Sequence, residues 1–330
     1  MNPLCKLLNP DLSLPCLLVL LLLSSGCQTG SGIDTGTFQF ALLGDNPYAP
    51  ESFPKYERMI DAVNETPGID WVIHLGDMKD GGTPCTDEAL AAIKVMNDRF
   101  RMPFVLTPGD NDWFDCKRES AGGFDRRERL AKIRELFFAE QPALPMNRQS
   151  DSGRFPDYLE NAYWQKQGVL FATLHVVGVN GTEGGMDIHA ENVAAAVAWL
   201  ETVFSVARQD DVNAVFLAMQ ADPYPFSGER GWLQSLCPGG CPEVRPGYEA
   251  LHAALLEHTR QFRKPVMLAV GDTHVFRVDK PLYDGDALVE HFTRVEPFGE
   301  NEVHWVRVVV DPSTPQVFTI HQELVPENLR

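Results

Sequence analysis

The chain has 330 residues, 44% of them apolar and 22% charged, which is globular composition with ample material for a buried core. Its formal net charge of −18 excludes a nucleic-acid polymer as the natural partner, because a phosphate backbone would be repelled. Most of these acids read as a solvated, self-repelling surface, although such acidity also suits cation binding.

In chain order, an apolar run over residues 17–23 stops at Ser24-Ser25-Gly26-Cys27 and gives way to Gly, Thr and Ser up to Thr37. The run is shorter than the ~20 apolar residues a bilayer span needs, so residues 1–26 read as an export signal and 27–36 as a linker. Leu23-Ser24-Ser25-Gly26-Cys27 resembles a bacterial lipobox, which implies acylation of Cys27 and an exported, periplasmic or cell-envelope protein anchored by lipid. An ordinary cleaved signal peptide is the other reading. Four cysteines then remain, Cys85, Cys116, Cys237 and Cys241, an even number suited to an oxidising compartment. Cys237 and Cys241 close a tight loop, which pairs Cys85 with Cys116. The rival reading is a four-thiolate zinc site, for which Cys85 and Cys116 lack the usual close spacing.

From residue 37 apolar runs alternate with amphipathic stretches. Strands are predicted over residues 38–43, 71–75, 103–106, 169–179, 214–219 and 266–270, and helices over 56–63, 87–100, 126–138, 191–206 and 248–262. The tail changes character, with strands over 289–293, 303–310 and 317–321. This alternation predicts a layered α/β domain over residues 37–330, mixed β-sheets flanked by helices, with a strand-rich C-terminal edge.

Four apolar runs end in Gly-Asp: Gly44-Asp45, Gly76-Asp77, Gly109-Asp110 and Gly271-Asp272. In an α/β sheet the loops after the strand C-termini form the site face. A single Asp there usually caps the next helix, but four converging acids would repel one another unless cations neutralised them. A metal site is the physically cheaper explanation.

These blocks resemble the calcineurin-like metallophosphoesterases, in a branch with altered metal-ligand motifs. The family pattern runs Asp-x-His, Gly-Asp-x-x-Asp, Gly-Asn-His-Asp/Glu, a lone His after a strand, and Gly-His-x-His. Here the order is Asp45-Asn46-Pro47, Gly76-Asp77-Met78-Lys79-Asp80, Gly109-Asp110-Asn111-Asp112, Met219-Gln220-Ala221-Asp222 and Gly271-Asp272-Thr273-His274. The resemblance implies two divalent metals, one on Asp45, Asp77 and His274, the other on Asp77, Asp110, Gln220 and Asp272. Pro47 cannot replace a histidine, and Asp110, Gln220 and Asp272 stand where the pattern has Asn, His and His. Carboxylates in place of imidazoles favour harder ions, Mn, Mg, Fe or Ca, over Zn.

The implied chemistry is attack of metal-activated hydroxide on a phosphate mono- or diester of a small molecule. Asn111 stands for the family's leaving-group histidine; an amide donates a hydrogen bond but supplies no proton. Slow turnover, or none in a surface-binding lipoprotein, is the alternative. Asp112 would orient Asn111, and Lys79 and Arg118 follow site loops where they would meet substrate phosphate. His74, inside a strand, reads as structural.

Overall fold

The computed structural model describes residues 36–140, 143–178, 184–209, 211–224 and 244–329. The predicted signal segment, Cys27 and the Cys237–Cys241 pairing lie outside the described residues.

In chain order the elements are β1 (Phe38–Leu43), α1 (Phe53–Glu65), β2 (Ile69–His74), α2 (Asp87–Asn97), β3 (Phe104–Leu106), α3 (Arg126–Phe137), β4 (Asn147–Arg148), β5 (Ala162–Lys166), β6 (Val169–Thr173), α4 (Met186–Gln209), β7 (Ala214–Ala218), α5 (Glu249–Phe262), β8 (Val266–Ala269), β9 (Arg277–Asp279), β10 (Tyr283–Asp284), β11 (Ala287–Leu288), β12 (Phe292–Glu296), β13 (Trp305–Val310) and β14 (Phe318–Glu323). Two mixed sheets form. One runs β14-β13-β1-β2-β3, with β1, β2 and β3 parallel. The other runs β4-β5-β6-β7-β8-β12-β9, with β6, β7, β8 and β12 parallel.

Strand alternation explains why the sheets stack. In β1, Phe38, Phe40 and Leu42 enter the core between the sheets, while Ala41 and Leu43 face α1. In β7, Ala214, Phe216 and Ala218 enter the same central core, while Val215 and Leu217 pack under α4 and α5. Strands covered on both faces read as unbroken apolar runs, which is how β7 and β8 look in sequence, with β1 broken only at Gln39. Phe40 is the pivot of the central layer, stacked on Trp71 at 5.5 Å and edge-on to Phe216 at 5.0 Å. Helices thus cover a two-sheet sandwich on both sides.

Local signals place the helices. Thr86 caps α2 by accepting from the Ala89 N–H (3.2 Å), and Asp125 caps α3 by accepting from the Glu128 N–H (3.0 Å). Two strand predictions need correction. The strand predicted over 169–179 stops at Thr173, because the Val176 N–H turns back onto the Leu174 carbonyl (2.9 Å). The strand predicted over 289–293 starts at Phe292 and runs to Glu296, in register with β8 from Phe292 opposite Val266. Among the described residues no helix is long and apolar enough to cross a membrane.

A candidate metal centre at the strand ends

Asp45, Asp77 and Asp110 follow β1, β2 and β3, and Asp272 follows β8 in the other sheet. All four meet where the C-terminal edges of the two sheets adjoin. The Asp272 N–H donates to Asp45 Oδ1 (3.2 Å), joining the sheets at the site. Gln220, after β7, reaches Asp77 Oδ2 (3.1 Å), Asp110 Oδ1 (3.0 Å) and Asp272 Oδ1 (3.5 Å) through one amide nitrogen. His274 Nε2 lies 3.6 Å from Asp45 Oδ1, with its Nδ1 3.5 Å from Glu300.

The backbone here is bent where bending is costly. Asp45, Asp77, Asp272 and His274 all have positive φ, at 51°, 54°, 75° and 62°. Left-handed non-glycine residues cost about 1–3 kcal/mol each and persist only where their surroundings force them. The glycines of the repeated motif allow the approach. A Cβ on Gly76 would strike the Gly109 amide, and one on Gly109 would strike Asp77 Oδ1. Residues Asp110–Phe114 wind into a π-helical turn, the Asp115 N–H reaching the Asp110 carbonyl, a geometry frequent at functional sites.

Asp112 fulfils a scaffolding part in this turn. Its carboxylate accepts from the N–H groups of Asp77 (3.0 Å), Met78 (2.8 Å) and Gly109 (2.8 Å), tying the β2 and β3 loops together. Asn111 donates from its side chain to Asp77 Oδ2 and to the Tyr48 hydroxyl, each at 3.0 Å. The Cys85–Cys116 disulfide forms as expected, with Cα atoms 5.7 Å apart, and links the same two loops.

The outcome differs between the two predicted substrate cations. Lys79 is buried, and its ammonium donates to the carbonyls of Asn111 (2.8 Å) and Asp80 (2.6 Å), so it braces the site loop from beneath. Arg118 is partly exposed and pairs with Asp115 at 2.5 Å. It lies beside the Asn111 side chain, since a methyl on Gly81 would meet both. His74 is structural, as its strand position suggests. It accepts from the Gly76 N–H at Nδ1 (3.0 Å), which leaves Nε2 to donate to the Asn46 carbonyl (2.6 Å). Burial holds it down at about 4, so it is neutral.

Sequence reasoning missed Arg245, whose guanidinium sits 2.6 Å from Asp272 Oδ2, and Tyr48, whose ring packs on His274 at 4.7 Å. It also missed Glu296, which accepts from the Thr273 N–H (3.0 Å) and hydroxyl (2.7 Å) and so clamps the Asp272–His274 turn. No local motif announces these residues; Tyr48 lies in the Asp45 loop itself, while Arg245 and Glu296 reach the site from segments distant in sequence.

Burial, and after it the neighbouring acids, push Asp45, Asp77 and Asp110 well above the usual carboxylate range. Burial also raises Asp272, although Arg245 opposes it. Asp45 Oδ2 is buried without a hydrogen-bond partner. Among the described residues, no three Asp, Glu, His or Cys side chains already converge on one coordination point. The residue chemistry nevertheless suits a divalent cation: Asp45 Oδ2 lacks a donor, and the carboxylates of Asp77, Asp110 and Asp272 and the His274 imidazole stand near it.

A sequence profile for calcineurin-like phosphoesterases matches residues 38–275, from β1 to just past His274. No curated protein matches the chain. Among solved structures it is similar to GAP50, the anchor in the inner membrane complex of Plasmodium (13% identity, TM-score 0.45, covering 87% of this chain and 89% of that one). Haemophilus influenzae NAD nucleotidase is similar at 13% identity and a TM-score of 0.42, over 87% of this chain and 49% of its own. A 5'-nucleotidase precursor from Thermus thermophilus is similar at 11% identity and 0.42, over 89% and 55%. The chain spans about half the length of those two nucleotidases. The profile match extends over most of the chain and takes in all five blocks that build the site, so the chain belongs to the calcineurin-like phosphoesterase family, phosphoester hydrolases that generally bind two divalent metals.

Proposed function

We propose that this chain is a metal-dependent phosphoester hydrolase acting outside the cytoplasm on a phosphorylated small molecule or phosphodiester. The observation that carries the reading is the buried carboxylate group of Asp45, Asp77, Asp110 and Asp272, with Asp45 Oδ2 lacking a partner. Asp45, Asp77 and His274 would hold one ion, and Asp77, Asp110 and Asp272 would face the second position. The oxygen-rich donor set favours Mn, Mg, Fe or Ca over Zn. When bound, such ions supply Lewis-acid polarisation and water activation.

The protein's own groups then divide the remaining work. Asp112 keeps the two site loops in register, so that Asn111 is aimed over Asp77. The Asn111 amide would exchange its bond to Tyr48 or Asp77 for one to a phosphate or leaving-group oxygen, with the Tyr48 hydroxyl beside it. Arg118 is the cation available to a phosphate at the mouth of the site. With no imidazole at position 111, substrates whose leaving groups need no proton should turn over best. The same substitution favours a second reading, a weakly active or inactive relative that binds ligands at the cell envelope. Export through residues 1–26 and acylation at Cys27 complete the proposal.

The test is hydrolysis of an activated aryl phosphate by chelator-stripped protein, with and without Mn²⁺ or Mg²⁺. Metal-dependent release of the phenol supports the hydrolase. Metal binding without hydrolysis supports the second reading, and no metal binding rejects both.

A further inference from the structure

The four carboxylates are not treated alike by their surroundings. Gln220 accepts the Gly178 N–H at Oε1 (2.7 Å), so its amide is fixed with the NH₂ toward the acids. That nitrogen serves oxygens of Asp77, Asp110 and Asp272. The Arg245 guanidinium takes the other oxygen of Asp272. Both oxygens of Asp272, both of Asp77 and one of Asp110 therefore already face N–H donors, but of these three acids it is Asp272 that faces a guanidinium. On the opposite side, Asp45 Oδ2 is buried and has no donor among the described residues, and His274 lies 3.6 Å from Oδ1.

We infer that the two metal positions are inequivalent: one divalent ion binds between Asp45, Asp77 and His274, while Arg245 and the Gln220 amide stand in for the second cation between Asp110 and Asp272. This rests on the metal-dependent reading above and refines it. A hard cation needs oxygen lone pairs at about 2.0–2.6 Å. On the Asp45 side such an ion meets a buried carboxylate oxygen that no donor serves among the described residues. On the Asp272 side it must first displace a charge-assisted hydrogen bond and reorient an amide held by backbone. Gln220 cannot offer its oxygen to a metal between these acids without turning its amide over, because the nitrogen faces them and the oxygen is held on the Gly178 N–H. The second ion is thus excluded or held far more weakly than the first, and the isolated protein keeps a mononuclear site.

The experiment counts metal. Full-chain protein is equilibrated with excess Mn²⁺, desalted, and assayed by elemental analysis and electron paramagnetic resonance, with thermal melting as a check on folding. One ion per chain with an uncoupled Mn²⁺ signal is expected, falling to none in Asp45→Asn. The Arg245→Gln/Gln220→His double variant is expected to hold two, with the spin-coupled signal of a neighbouring Mn²⁺ pair. The single variants Arg245→Gln and Gln220→His give the same reading should the double variant not fold, each retaining more than one ion. Two ions in the unmodified protein would overturn the inference while leaving the metal-dependent function standing. No ion at all would reject that function and the inference with it. Folded variants that stay at one ion, or one ion persisting in Asp45→Asn, would overturn the asymmetry alone.

Discussion

Two groups of fully buried carboxylates lie close together in this molecule and behave in opposite ways. Glu160 has no solvent exposure, yet His175 Nδ1 lies 2.6 Å from one oxygen and Arg134 grips both (2.7 and 3.1 Å). Burial alone would raise it, but His175 and Arg134 outweigh burial and hold it at about 2. Asp45, Asp77 and Asp110 are equally buried and pushed well above the ordinary range. Trp113, in the Asp110 loop, packs on His175 at 5.3 Å, so the two groups share a wall. Burial is common to both; matched positive charge is not. A buried acid with its own cation is architecture, whereas a set of buried acids short of cations is one that a cation supplied from outside would relieve.

The largest expected effect breaks the site half of that comparison. Asp77→Asn withdraws an anionic oxygen from the centre of the cluster, and metal content should fall to near zero with phosphoesterase activity lost. Asn111→Ala should leave metal content intact and lower the rate on the order of 10²–10³-fold, the usual loss of one transition-state donor. Elemental analysis and aryl phosphate kinetics on the two variants separate the roles. Retention of full metal content in Asp77→Asn would remove Asp77 from the metal centre.

The opposed behaviour of these acids was only half legible in the sequence. The strand–Gly–Asp junctions stand out because tight turns demand glycine where loops touch, and the four strands leading into them are largely apolar. The partners that decide each acid's fate do not stand out. Arg245 reaches Asp272 from 27 residues away, and Glu160 meets His175 across the β5–β6 hairpin. Strand β5, Ala162–Lys166, escapes detection because its mixture of aromatic and polar residues carries no clean alternation. Lys79 looks like a phosphate ligand by position alone, and only burial reveals it donating to backbone carbonyls.

Removing the counter-charge of the second group should cost stability, not metal. Glu160→Gln leaves Arg134 and His175 facing a neutral amide, and breaking a buried pair this way costs about 3–5 kcal/mol. The pH dependence has a definite sign. A carboxyl held at about 2 when folded and near its ordinary 4.5 when unfolded stabilises above pH 4.5, and that stability drains away as pH falls toward 2. Denaturant midpoints from pH 7 to pH 2.5 should fall more steeply for the unmodified protein than for Glu160→Gln. Parallel curves would mean that Glu160 is not held down by its partners.

Chelation offers a gentler probe of the first group. At metal a hundredfold above its dissociation constant, binding adds about 2.7 kcal/mol to folding. EDTA should therefore lower the melting temperature by about 4 °C for a domain of this size. Glu160→Gln should show the same EDTA shift from its lower starting point, because its cation is covalently part of the chain. An EDTA shift that vanished in Glu160→Gln would join the two groups into one.

The smallest effect comes from a carboxylate of a third kind. Asp125 is an ordinary helix cap: its side chain accepts the Glu128 N–H at 3.0 Å at the start of α3, beside solvent. Asp125→Ala should cost about 1 kcal/mol, with metal content and kinetics unchanged. This variant is the yardstick for Asp77, because an Asp after a strand is most often a cap, and a cap is what Asp77 would be if the site were mere architecture. Neither oxygen of Asp77 caps a following helix; both accept from Asn111, one from its backbone N–H and one from its side chain. Melting and metal analysis of Asp125→Ala and Asp77→Asn side by side therefore decide the matter. A loss of about 1 kcal/mol in both, with metal unchanged in both, would make Asp77 a structural acid; a loss of metal confined to Asp77→Asn assigns it to the ion.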